Sequence, residues 1–367
     1  MKTIFTNSLK GLGLIAATTG SMNLAFGQAF QITNRTYGNA ANTPVQAEID
    51  TLFDSLETAV NAELPSFDPD SYLKATANAT VASGGGVDAD YASPFSYALV
   101  GGGVGLAADF TATGGLSDLF QDGGFTSLEG AGAQGGIILG LNTGKFLNQK
   151  IGFIDLSRTK AFLSFFAFGY GLNDFDFDFK HFAVSGQYKL VPEKSMGLGV
   201  LKWGGVDLTG GLKYNKTTFT ITQPVTQTQT ASVASGVGQL SANFDGTATV
   251  GADVGIFSIP VEVSTSARVL YFLSFFAGMG ADFAFGSSSS VSEVTGPISV
   301  TDSLGAFSGI GADAGLDLGS ASGPTAFGLR TFGGIQLELY ALSVSVQINK
   351  SLFNESLGAT VGAKLFF

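Results

Sequence analysis

Cysteine is absent from this chain, histidine occurs once, and charged residues make up only 13% of its 367 residues. Long apolar runs are missing as well. The longest, 161–172 and 269–281, are broken by Ser and Gly and fall short of the roughly 18–20 residues of a spanning helix. Each absence excludes something. Without cysteine there are no disulfides, no thiolate metal ligands and no lipidated cysteine to serve as an anchor. With His181 alone, no histidine cluster can hold a metal, and a Ser-His-Asp arrangement has one imidazole to draw on. Ser185 shares its face but lies four residues along, about 13 Å by strand rise, so the two cannot meet within one strand. A histidine at a rim is the plainer reading, and the chain is read as no enzyme, with no cofactor. The charge is one-sided too. Eighteen basic residues stand against 29 acidic ones, which argues against nucleic acid and anionic membrane surfaces as partners.

What is present points elsewhere. Hydrophobic residues reach 45%, with 52 Gly and 33 Phe. High hydropathy without a spanning helix is what a membrane β-barrel predicts, because its apolar outer face is diluted by a polar lumen face. The amino end, MKTIFTNSLKGLGLIAATTGSMNLAFGQAF, reads as an export signal. Lys2 and Lys10 precede a short apolar core over Gly11–Ala17, and small residues permit cleavage after Gly27 or after Ala29. Loss of those two lysines leaves 16 basic residues against 29 acidic, a net charge of −13. The expected division is a signal peptide over 1–29, an N-terminal segment over 30–71 and a barrel over 72–367.

Within the N-terminal segment, TPVQAEIDTLFDSLETAVNAEL predicts an amphipathic helix over about 44–64. Thr43 is placed to cap it and Pro44 suits its first position. Val45, Ile49, Leu52, Phe53, Leu56, Val60 and Leu64 recur at three- and four-residue steps and form one apolar stripe. Ile49, Leu52, Phe53, Leu56 and Val60 are thereby candidates for a plug inside the barrel. Packing on one barrel mouth or on the periplasmic rim is the alternative.

Almost everything further along alternates. The chain ends LGATVGAKLFF, with Leu357, Ala359, Val361, Ala363, Leu365 and Phe367 on one face and Lys364 and Thr360 on the other. Phe366 is out of place on the polar face. GVDLTGGLKYN, HFAVSGQYKL and ALSVSVQINK behave alike, each with an apolar face and an uncharged or mixed one. FLSFFA occurs twice, at 162–167 and 272–277, and reads as aromatic strands near the lipid face. About 12–14 strands are expected by the spacing of such barrels. TQPVTQTQTASVASGVGQ (Thr222–Gln239), GSSSSVSEVTGP and GSASGPT read as exposed loops. The run from Ile259 to Phe285 is too long for one spanning strand and requires a reversal near Ser264–Arg268.

Two constellations invite chemistry. In NDFDFDFKHF, Asp174, Asp176 and Asp178 share a face, a weak candidate for a cation site. A calcium loop is not formed, since Phe179 stands where that loop needs Gly and Ser185 where it needs Glu. A solvated acidic face is the competing reading. The apolar set that follows, Phe182, Val184 and Tyr188, has the parity of the aspartates, so either a bulge lies near Lys180–His181 or the Asp/Phe part projects beyond the bilayer. Gly103-x-Gly105-x-x-Ala108 matches a dinucleotide fingerprint but lacks a following helix, and close packing explains the glycines better.

The signal peptide, the alternation and the terminal strand ending in Phe367 resemble Gram-negative outer-membrane β-barrels. That resemblance implies a protein in contact with outer-membrane lipid. It also makes Phe367, Leu365, Ala363, Val361 and Ala359 the signal read by the barrel-assembly machinery. IGFIDLSRTKAF, FAVSGQYKLV and FSIPVEVSTS are similar to stretches of leptospiral surface proteins described as matrix-binding adhesins. The helix near the amino end resembles the hatch of hydrophobic-compound transporters, without their extended plug domain. The expectation is an all-β transmembrane barrel whose long Ser/Thr-rich loops bind external ligands or host matrix. A passive channel for small or hydrophobic molecules, gated by the helix, is the alternative, and a soluble secreted β-sandwich the second alternative.

Overall fold

A computed structural model of the protein describes residues 30–63, 69–93, 95–110, 130–147, 149–151, 154–172, 174–196, 200–232, 238–317 and 319–367. The expected signal peptide and both cleavage positions lie outside them. The alternating segments are strands. From the amino end come β1 (Gln31–Tyr37), the helices α1 (Pro44–Glu63) and α2 (Pro69–Ser83), β2 (Ala98–Asp109) and β3 (Gly130–Leu141). A small ribbon, β4 (Lys150–Ile151) and β5 (Ile154–Asp155), precedes β6 (Thr159–Leu172), β7 (Phe175–Val191) and β8 (Lys194–Met196). Three very long strands follow, β9 (Leu201–Ser232), β10 (Gln239–Val269) and β11 (Leu273–Asp302). Last come β12 (Ile310–Asp317), β13 (Ser320–Ser322), β14 (Phe327–Leu339), β15 (Leu342–Ser351) and β16 (Ser356–Phe366).

Fourteen of these strands form one sheet, within the expected 12–14. Pairing of β11 with β14 closes part of that sheet into an antiparallel ring in the order β2-β3-β6-β7-β9-β10-β11-β14-β15-β16. The product is a barrel and not the two-layered sandwich. β12 and then β1 continue the sheet from β11 outside the ring. The wall begins at Ala98 and not at 72, because residues 72–83 belong to α2.

Side-chain alternation sets the faces. On β16, Ala359, Val361, Ala363 and Leu365 point outward, while Ser356, Thr360 and Lys364 are buried inside. On β15, Leu342, Val344, Val346 and Ile348 face out and Gln347 and Asn349 in. The outward row of β7 changes character along its length. It runs Asp174, Asp176, Asp178, Lys180 and then Phe182, Val184, Gly186. Lys216 of β9 pairs in register with Lys180 and forms an ion pair with Asp253 of β10 at 3.2 Å. These charges mark one border of the apolar band. Below it, the row from Phe182 to Leu190 fits the roughly 9–11 residues of a spanning strand. Pairing of β7 with both neighbours is continuous past Lys180–His181, so there is no bulge and the Asp/Phe part projects beyond the bilayer.

β9 runs a further 16 residues past Lys216, about 50 Å at strand rise. One expected loop and the first part of another are therefore strand, residues 233–237 of the latter lying outside the described residues. Thr222–Ser232 belongs to β9, and GSSSSVSEVTGP lies wholly within β11. Thr and Val are β-branched and fit a pleated surface. Thr226, Thr228 and Thr230 alternate with Gln, a period of two that is polar on both sides. Within GSASGPT, Ser320–Ser322 forms β13 and pairs with β11. The reversal expected near Ser264–Arg268 lies at Leu270–Phe272, where Leu270 and Tyr271 take φ of 55° and 67°. Neither is a residue that favours positive φ, so no turn signal was visible there.

Helix α1 packs on the projecting sheet. Ile49, Leu52, Phe53 and Leu56 are buried, but against Phe30, Leu240, Phe244, Ile298, Val300 and Ile310. This core is separate from the lumen, so the helix is not a plug. The side chain of Val60 lies outside the described residues. Thr43 donates its hydroxyl to the carbonyl of Ala40 at 2.6 Å, and Gln46 Oε1 accepts from Asn42 N–H at 2.8 Å. Leu52→Ala is expected to weaken the projecting module by about 2–5 kcal/mol, since the site is closed on all sides. Native-state amide exchange checks this: protection should fall in β1 and α1 and stay unchanged in β14–β16.

Candidate functional site

The ring is filled by α2 and the described residues that follow it, 84–93 and 95–97. Helix α2, PDSYLKATANATVAS, carries no broad apolar stripe. Its Ala75, Thr76, Ala77, Asn78, Ala79 and Thr80 are nevertheless all buried. Small side chains let it lie against the wall, and the wall makes room with glycine. A Cβ on Gly132 would come within 2.4 Å of the Ala79 carbonyl carbon, and one on Gly105 within 2.1 Å of the Ser83 carbonyl oxygen. The glycine run of β2 thus serves close packing, not phosphate. The hydroxyls of Thr80 and Ser83 donate back to carbonyls of their own helix at 2.9 Å each, which makes their burial tolerable.

Past α2 the chain descends the lumen and is fastened to the wall by charge. Asp88 meets His181 Nε2 at 2.7 Å, accepts from Gln134 Nε2 at 2.9 Å and lies 3.5 Å from Lys213 Nζ. His181 is wholly inside, not at a rim. Its Nδ1 contacts Asn215 Oδ1 at 2.7 Å and its Nε2 contacts Ser164 Oγ at 3.0 Å. Asp90 accepts from Lys364 Nζ at 3.1 Å and from Ser93 N–H and Oγ at 2.9 Å each. The Tyr91 hydroxyl donates to Glu262 Oε2 at 2.6 Å, and Arg330 joins Glu262 to Asp282, the latter at 2.7 Å. Rings close the remaining space. Tyr91 lies 5.4 Å from Phe276 and 4.9 Å from Phe332, centroid to centroid. Phe95, Leu99, Ile138 and Phe162 form a floor, with Phe366 packed on it and Lys160 Nζ 4.3 Å from the Phe95 centroid. Phe366 faces inward because this floor receives it. In the first FLSFFA copy Phe162 and Phe166 face in and Phe165 faces out; in the second Phe276 faces in and Phe275 out, while Phe272 lies exposed in the turn before β11.

A second constellation lies on the projecting sheet. Arg35 of β1 binds Asp54 at 2.7 Å and Asp50 at 3.4 Å on α1. Partial burial works against its charge, yet those two carboxylates hold the guanidinium above its ordinary value. Asn61 accepts from Phe30 N–H at 2.8 Å and donates to Phe30 O at 3.0 Å, while Glu57 accepts from Ile32 N–H at 3.1 Å. The acidic residues Asp174, Asp176 and Asp178 face outward beyond the apolar band, with Asp178 paired to Lys180 at 2.9 Å. Among the described residues no three His, Cys, Asp or Glu side chains gather as a metal site would require.

With ring, filled lumen and projecting sheet in view, the relationship to known proteins has a structural counterpart. The Lsa36-like family matches residues 15–367. The chain belongs to that family. The ring and lipid face of this Lsa36-like protein make it an integral outer-membrane β-barrel. No curated protein matches it in sequence. Among solved structures it is similar to the CymD monoaromatic hydrocarbon channel, at 8% identity and a TM-score of 0.24, over 80% of this chain and 98% of that one. The translocator domain of the autotransporter NalP from Neisseria meningitidis shows 9% identity and 0.27, over 78% and 93%. The outer membrane protein Omp33 of Acinetobacter baumannii shows 10% and 0.25, over 75% and 100%. Scores this low carry no argument beyond the geometry itself.

Two outcomes are expected for the Lsa36-like lumen. Arg330→Met leaves Glu262 and Asp282 without their buried cation and should cost about 3–5 kcal/mol, read as a lower temperature for the heat-induced gel shift. Removal of 69–96 should open an aqueous path, so steady conductance in planar bilayers rises well above that of the intact protein.

Proposed function

We propose that this protein is a surface adhesin: a closed barrel that presents β9–β12, β1 and α1 outside the cell to hold host matrix, without enzymatic activity. One observation carries the reading. The lumen is filled from α2 to the Phe95 floor, whereas the strands that leave the membrane build a module with a core of its own. A pathway is blocked and a surface is constructed.

Orientation supports it. At the end holding Phe367, β14 turns into β15 through two residues and β10 into β11 through three. Such barrels keep short turns on the periplasmic side and long extensions outside. Family membership points the same way. Use as a channel for small or hydrophobic molecules would require α2 and the Asp88–Tyr91 stretch to leave the lumen, against several buried ion pairs. Assembly fits the same picture. Phe367 is exposed at the periplasmic rim, with Leu365, Ala363, Val361 and Ala359 along the outer face, where the barrel-assembly machinery would read them.

The test trims the projecting hairpin. Replacement of 223–248 by Asn-Gly removes the upper part of β9 and β10, including Leu240 and Phe244, and leaves the ring intact. Intact cells carrying this variant should lose most of their binding to immobilised host matrix, while heat-dependent gel mobility is kept. Undiminished binding would overturn the reading.

A further inference from the structure

β7 begins at Phe175, while β9, its neighbour in the wall, continues to Ser232. Above Ile221, β9 therefore has β10 on one side and, among the described residues, no strand on the other. A single contact fixes which main-chain groups face that open side. Thr222 N–H points away from β10 and donates to the carbonyl of Asp174 at 2.7 Å. Pairing of β9 with β10 is unbroken from Lys213↔Ser258 to Ser232↔Gln239, so the parity persists. The groups of Pro224, Thr226, Thr228 and Thr230 face the same way as those of Thr222. Pro224 agrees with this, because its missing N–H falls where β10 needs none. Among the described residues, the N–H and C=O groups of Thr226, Thr228 and Thr230 thus form an unpaired ladder.

The same sheet treats its other edge differently. The free side of β1 is covered by α1, whose Asn61 and Glu57 take up the main-chain groups of Phe30 and Ile32. Exposed edges are commonly blunted by charge, proline or cover. Between Val225 and Ala231 the β9 edge has none of the first two. At its foot stand Asp174 and Asp176, outward and exposed, with the already paired Asp178 just below.

We infer that this edge receives an additional strand, an extended basic segment of a matrix polypeptide that pairs with Pro224–Thr230 and lays its cationic side chains on Asp174 and Asp176. The added strand occupies the line that β7 would follow were it longer, the mode of recognition in which main-chain hydrogen bonds give affinity and side chains give choice. The acidic foot sets the sign of the partner. A second copy of this chain in the same membrane would bring identical aspartates side by side, which disfavours it as the occupant. The inference deepens the adhesive reading and rests on it for the exposure of the module.

The experiment uses the purified full chain in detergent and two labelled peptides of alternating Val and Thr, one with a lysine tail and one with a glutamate tail. The lysine peptide is expected to bind saturably by fluorescence anisotropy and to slow amide exchange at Thr226, Thr228 and Thr230. Thr226→Pro with Thr228→Pro keeps the β10 pairing, as Pro224 does, and removes two edge donors. Its affinity should drop about tenfold or more. Thr228→Val alters the side chain and keeps the ladder, so affinity should stay within about twofold. Asp174→Asn with Asp176→Asn touches no main-chain group and should erase most of the preference for the lysine tail, which keeps the inference testable should the prolines disturb the tip. Failure of the lysine peptide to bind, equal binding by the proline variant, or indifference to tail charge each overturns it. Adhesion of cells that is lost on trimming 223–248 but unaffected by the two prolines would remove the edge site and leave the adhesive reading standing.

Discussion

A sheet surrounded by lipid tolerates no open edge, since nothing in the hydrocarbon can satisfy an unpaired N–H or C=O. The rest of this structure follows from where that constraint applies and where it stops. Within the apolar band, β11 closes the ring by pairing its residues 273–283 with β14. Above the band the same strand changes partner, first to β13 at 288–290 and then to β12 from 293 onward. β9 makes the complementary change, losing β7 after Ile221. The sheet is therefore a ring in lipid and an open blade in water. Both transitions fall near the charged border set by Lys180, Lys216 and Asp253.

Closing a ring creates an interior, and an interior of polar wall residues needs partners. Lys213, His181, Lys364, Glu262, Asp282 and Arg330 all face inward and are all buried. Single charges so placed would be costly. The chain supplies Asp88, Asp90 and Tyr91 from its own N-terminal segment, so wall and filling compensate one another. The small residues of α2 meet glycines of β2 and β3 for a steric reason of the same kind, since nothing larger fits between helix and wall.

Much of this was legible where a side chain has to choose between lipid and water. Leu357 to Phe367 reported its own faces by strict alternation, and so did Val206 to Tyr214. The apolar stripe of α1 likewise declared a buried helix, though not what it is buried against, because a stripe names a face and never its partner. Other parts left little trace. α2 is buried by Ala, Thr and Asn against Gly, a contact of small surfaces with no apolar period to detect. The upper half of β9 is strand by pairing, yet its Thr and Gln carry the composition of a loop. Leu270 and Tyr271 turn the chain without any residue that favours turning. His181 could not be placed from sequence, since its partner Asp88 lies 93 positions away.

The descent of residues 69–93 and 95–96 through the lumen has a bearing on sidedness. Ten wall strands are an even number, which by itself returns both ends of a chain to one side of the bilayer. Here the polypeptide passes through its own ring before the first wall strand begins, an eleventh crossing made in the shelter of the other ten. Phe30 and Phe367 consequently stand on opposite sides of the membrane, and the protein is tethered to both compartments by a backbone that no lipid touches in the middle.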